Sequence, residues 1–102
     1  MTLVGEHVLL AAGRKNAPLR KWLDVWINMV EQAAWKNLED VRSTFRSADG
    51  VALPSGRVVT VFNVKGGHYR LLTVIDYQIQ SLETLEIITH AEYSKQLWKA
   101  RY

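Results

Sequence analysis

The sequence predicts an α+β fold: a small antiparallel sheet with N-terminal helices packed on one face and a short C-terminal helix. Three observations carry this. Apolar residues recur at helical spacing through the first 45 positions, and from Arg57 they alternate with a period of two. Near Ala91 the pattern turns helical again, after a strand that completes the sheet.

Residues 2 to 5 read as a short edge strand. A helical pattern runs from Glu6 to about Arg14, where Gly13 and Asn16 mark a break. Asn16 is placed to cap the next helix and Pro18 fits its first turn. Leu19, Trp22, Leu23, Trp26, Val30 and Ala33 then fall on one stripe. Two tryptophans on such a stripe resemble a base-stacking platform, but sharing it with Leu and Val makes them core residues that face the sheet. Asn37 caps a second small helix, with acids in its first turn, which ends near Phe45 and a Ser-Ala-Asp-Gly turn over residues 47–50.

Residues 57–64 form a β-branched run, Gly66-Gly67 supplies a two-residue turn, and residues 69–77 return as the partner strand. That hairpin sets Lys65 opposite His68, Asn63 opposite Arg70 and Val61 opposite Leu72, all on one face. Val58, Phe62, Val64, Tyr69, Leu71 and Ile75 make the opposite, apolar face, which suits the tryptophan-bearing helix. A third strand, about residues 83 to 89, comes after a connection centred on Gln80. This register puts His90 opposite Arg70 and Ile88 opposite Leu72. Tyr93 then lies just beyond His90 at the sheet margin, and Leu97 and Trp98 pack the tail.

With 102 residues the chain makes one domain, residues 1–102, and its 48% hydrophobic and 23% charged content argues against disorder. The absence of cysteine removes disulfides and thiolate-ligated zinc, and three scattered histidines make a poor metal site, so neither metal nor cofactor is expected. No apolar run reaches membrane-spanning length and the start lacks a signal-peptide pattern, which together predict a cytoplasmic protein with no membrane partner. A net charge of +3 favours polyanions or acidic partners. Arg14, Lys15, Arg20 and Lys21 form one basic cluster and Lys95, Lys99 and Arg101 another, although most such residues only solvate a surface.

The predicted convergence of Lys65, His68, Arg70, His90 and Tyr93 points to RNA cleavage without a metal. RNA brings its own nucleophile, the 2′-hydroxyl, so a protein needs to orient it, move two protons and stabilise charge on the phosphate. Arg70 has the planar fork that suits phosphate oxygens, and Lys65 adds a point charge. His90 is the first candidate for proton transfer, because imidazole titrates near neutrality. Tyr93 is the accompanying acid or the group that orients the 2′-hydroxyl; residue types alone do not divide those roles. Asn63, His68 and Lys95 are the expected flanking RNA contacts. The bland reading of each is real: Arg70 has Glu86 and Glu92 as potential ion-pair partners, and a lone histidine at a strand end is usually structural.

Phe62-Asn-Val-Lys-Gly-Gly-His-Tyr-Arg-Leu71 with Thr89-His-Ala-Glu-Tyr93, preceded by Ala34-Trp-Lys, resembles the HigB toxins of bacterial type II toxin–antitoxin systems. The resemblance implies a RelE-like fold and an endoribonuclease that cuts messenger RNA in the ribosome. It also implies a HigA-type antitoxin with a helix-turn-helix, so that DNA is met only indirectly. It supports Lys65 and Arg70 as phosphate contacts and His90 and Tyr93 as catalytic residues. The sequence departs from the family pattern at His68, Ile88 and Ser94, where lysine, glycine and aspartate are frequent. A different class remains open, a non-catalytic toxin or interaction module whose basic face inhibits a protein such as a topoisomerase. A stand-alone RNA-binding domain is disfavoured, since stacking aromatics are missing from the predicted polar face.

Overall fold

In the computed structural model, which describes residues 1–102, the extended segments form one five-stranded sheet. Its strands are β1 (Thr2–Val4), β2 (Asp49–Ala52), β3 (Val58–Val64), β4 (Tyr69–Asp76) and β5 (Ser81–Thr89), in the order β1-β5-β4-β3-β2. β1 lies parallel to β5, with Leu3 beside Leu82, so the sheet is mixed where a wholly antiparallel one was expected. Parallel pairing needs a long crossover, and the helices between β1 and the other strands supply it.

The helices are α1 (Glu6–Gly13), α2 (Ala17–Gln32) and α3 (Leu38–Thr44). Both predicted caps form: Asn16 accepts from the Leu19 N–H at 3.0 Å and Asn37 from the Asp40 N–H at 2.9 Å. α2 buries Leu19, Leu23, Trp26 and Val30, while Trp22 is half-buried. Trp26 and Phe45 meet Phe62 edge-on at 5.4 and 5.3 Å, and Val64, Leu71 and Leu82 complete the core on this side.

β2 replaces part of the expected 47–50 turn. Asp49 and Gly50 are poor strand formers, but the free edge of β3 pairs with them, Asp49 opposite Val61. At that corner Val58 is 54% exposed and leaves the apolar face predicted for it, because it opens β3 opposite exposed Ala52. The β3–β4 register is as expected for Asn63 with Arg70 and Val61 with Leu72. Lys65 does not pair with His68. Pairing stops at Val64 and Tyr69, and Lys65, Gly66 and Gly67 turn with φ of 51°, 69° and 89°. The Gly67 N–H closes on the Val64 carbonyl at 3.2 Å, so the tight turn centres on Lys65-Gly66, both with the positive φ that primed hairpin turns require.

β5 pairs with β4 two residues away from expectation: Ile88 faces Arg70 and Glu86 faces Leu72. Two causes combine. The connection is centred between Gln78 and Ile79, whose N–H groups bind Asp76 Oδ1 at 3.0 and 3.3 Å, and a bulge between Leu72 and Thr73 leaves Leu85 unpaired. At the site end the slip is even, so side chains from Glu86 to Ile88 keep their expected faces; before the bulge it is three residues.

After β5 the chain forms α4 (His90–Lys95) and a 3₁₀ turn (Leu97–Ala100). Trp98 is 1% exposed and covers Val59, Val61, Leu72 and Ile88, making a second, smaller core on the sheet face away from the helices. Leu97 does not share in it: with Gln96 at φ 61° between the two helical pieces, Leu97 is 70% exposed.

Candidate functional site

The second face is apolar at one end, under Trp98, and polar at the hairpin end. There Arg70 lies half-buried between Asn63 of β3 and Ile88 of β5. Its Nη1 donates to the carbonyls of Gly67 at 2.7 Å and Tyr69 at 3.1 Å, which fixes the guanidinium over the turn. Arg70 Cζ stands 5.5 Å from the centroid of the Tyr93 ring. Tyr93 in turn stacks on Trp98, 5.4 Å between centroids and 16° between planes, while Trp98 Nε1 donates to the Tyr93 carbonyl at 3.2 Å. Arginine, phenol and indole thus form one stack rooted in the second core.

Arg70 has no carboxylate partner. The two ion pairs of the structure are Arg42 with Asp49 at 3.2 Å and Arg101 with Glu86. Neither Glu86 nor Glu92 takes the guanidinium, and its Nε and Nη2 have no intramolecular partner, which suits an anion. The half-buried Tyr93 phenol is pushed above the ordinary tyrosine range, first by burial and then by the Asp49 carboxylate, with the Arg70 cation opposing both. It is therefore protonated at neutral pH and able to donate.

His90 opens α4 one rung beyond Ile88, and its N–H binds the His68 carbonyl at 3.1 Å. His68 is thus its backbone neighbour in place of Arg70, which pairs with Ile88. Thr89 caps α4 by accepting from the Glu92 N–H at 3.2 Å. His90 and His68 are exposed, and Ser94 Oγ contacts His90 Nδ1 at 3.3 Å.

The sequence-predicted residues divide into two groups. Arg70 and Tyr93 touch, Asn63 flanks Arg70, and His68 and His90 adjoin along the strands. Lys65 sits in the turn, half-buried, instead of on the ladder. Lys95 stands apart in the last turn of α4, lining a cleft of about 200 Å³ with Glu92, Leu97, Trp98 and Arg101. Two contributors were missed. Asp49 reaches the site only through the unrecognised β2, and Trp98, read as tail packing, is the floor under Tyr93. The polar face does carry an aromatic, Tyr93, but Arg70 and Trp98 both pack against its ring.

None of the cavities is lined by Arg70, His90 or Tyr93; the largest, about 520 Å³, lies on the helical side beside Trp22, Val25 and Met29. The site is an open surface. No three metal-ligating side chains converge, and no helix is long and apolar enough to cross a membrane.

Helices on one face of a five-stranded sheet, a cation-bearing opposite face and a short C-terminal helix define a RelE-like α+β fold. The chain belongs to the HigB toxin family, described as the RelE-like toxic component of a toxin-antitoxin system, whose model matches residues 19–96. Comparison with curated proteins returns no match. The chain is thus a toxin of a toxin-antitoxin system, and an antitoxin is its partner.

Proposed function

We propose that this toxin is a cytoplasmic endoribonuclease that cuts messenger RNA in the ribosome and is neutralised by a HigA-type antitoxin, through which alone it meets DNA. The observation that carries the reading is the Arg70 guanidinium, without a carboxylate partner, held against the protonated Tyr93 phenol, with exposed His90 three residues before Tyr93 on the same short helix. An open face accommodates a polymer already extended on a ribosome better than a closed pocket would.

In this reading Arg70 binds the non-bridging oxygens of the scissile phosphate, and Lys65 in the turn adds charge beside it. The 2′-oxygen attacks phosphorus as its proton leaves to a base, and the bond to the 5′-oxygen breaks as that oxygen gains a proton. The product is a 2′,3′-cyclic phosphate and a free 5′-hydroxyl. His90 and Tyr93 are the proton-transfer pair, while Asn63, His68 and Lys95 contact flanking nucleotides.

The test is purified toxin on translating ribosomes with mapping of message ends. Arg70→Ala and His90→Ala should each lower the cleavage rate by about 100-fold or more, the scale set by removing a transition-state donor or proton-transfer group. Circular dichroism should remain unchanged. Intact message under saturating wild-type toxin would overturn the reading, and toxicity that survives loss of both His90 and Tyr93 would move the protein to the non-catalytic class.

A further inference from the structure

Ser94 lies one helical turn after His90, and its Oγ meets two atoms of that residue: the backbone carbonyl at 2.9 Å and Nδ1 at 3.3 Å. A carbonyl oxygen can only accept, and a hydroxyl carries one proton. The shorter contact takes that proton, so an Oγ lone pair is what faces the ring. The contact is favourable only when Nδ1 carries a hydrogen. A neutral imidazole with its hydrogen on Nδ1 has a bare lone pair on Nε2, since the partner of one ring nitrogen decides the state of the other.

We infer that Ser94 is a positioning residue that holds His90 in the Nδ1–H form, leaving Nε2 as the atom that takes the proton from the attacking 2′-hydroxyl. The chemical half of this inference rests on the nuclease reading above, whereas the form of the ring is a property of the free toxin. It divides the roles that residue types alone left open. His90 Nε2 is the base, and Tyr93, packed against Arg70 and Trp98, is the donor to the departing 5′-oxygen. The imidazolium formed in the step keeps its Nδ1–H on Ser94, so the ring need not turn while the proton is held.

Nitrogen-15 NMR of the imidazole rings in the full chain tests the first half, with the His90 signals assigned from a His90→Gln variant. Wild-type neutral His90 should show a protonated Nδ1 and a bare Nε2. Ser94→Ala should move the ring toward the Nε2–H form, and Ser94→Asp, whose carboxylate accepts without donating, should keep Nδ1–H. On ribosomes, Ser94→Ala should lower kcat/KM by about three- to tenfold, the consequence of losing one hydrogen bond.

A wild-type ring already in the Nε2–H form, or one unmoved by Ser94→Ala, overturns the inference. So does a ring that changes form in Ser94→Ala with kcat/KM unaltered. A wild-type toxin that leaves message intact overturns the nuclease reading and the role given to Nε2, while the NMR result still decides whether Ser94 governs the ring.

Discussion

On the helical face of the sheet, Phe62 is gripped by Trp26 and Phe45 within a cluster of thirteen buried residues; on the other face, Val61 and Leu72 belong to a cluster of six, covered by the segment beyond Thr89. The covers differ in how they are held. α2 is a capped sixteen-residue helix with four buried positions. The tail is a six-residue helix with no buried residue, a 3₁₀ turn and one deeply inserted indole. Its end is tied by Glu86, which accepts from Arg101 Nε at 3.1 Å and from the Tyr102 hydroxyl at 2.7 Å. One face therefore carries stability, and the other makes the candidate site depend on the docking of a short segment.

The sharpest test of this division is the pair of buried tryptophans. Trp26→Ala should cost about 3–5 kcal/mol, the range for deleting a buried aromatic, and so consume much of the stability of a chain this size. Trp26 Nε1 has no hydrogen-bond partner, so the loss is one of packing. Trp26→Phe, which removes the unpaired N–H with less volume, should cost less. Urea unfolding checks both.

Trp98→Ala removes a side chain equally buried but near the chain end, where the segment can detach by itself. The urea midpoint should shift less than for Trp26→Ala, corresponding to a loss of about 3 kcal/mol at most. Amide exchange over residues 90–102 should accelerate, and cleavage should fall by about tenfold or more as Tyr93 loses its floor. A midpoint shift matching that of Trp26→Ala, with exchange raised throughout the sheet, would erase the contrast between the faces.

The division also explains what the sequence revealed. The starts of α2 and α3 were legible because Asn16 and Asn37 bind N–H groups three residues on. The β3–β4 pairs were legible because a glycine turn sets them locally. β2 was not, since Asp49 and Gly50 become strand only by meeting the edge of β3. The β5 register depended on the Asp76 turn and the bulge, neither of which has a pattern in hydrophobicity. The site survived that error because the slip was even at its end of β5. Trp98 beneath Tyr93 was hidden by distance effects: Gln96 at φ 61° folds the segment back, and single-residue patterns do not encode such a reversal.

The smallest expected effect is alkaline. Tyr93, Tyr102 and Tyr77 are all raised above the ordinary value of 10.0, each mainly by burial; the Glu86 carboxylate adds to the effect at Tyr102. A phenol held neutral longer in the folded state than in the unfolded one favours folding fully below pH 10.0, and that contribution is lost as pH rises through the folded-state values. Thermal stability should therefore be flat toward pH 10 and decline above it, in step with tyrosinate absorbance. Two of these phenols, Tyr93 and Tyr102, pack on the tail face, and Tyr77 packs on the helical core. Tyr93→Phe with Tyr102→Phe should therefore blunt the decline more than Tyr77→Phe does. All three groups are only partly buried and so partly screened by solvent, and the differences should amount to no more than a few degrees in Tm. A decline abolished by Tyr77→Phe alone would assign the alkaline sensitivity to the helical side and remove the tail from the account.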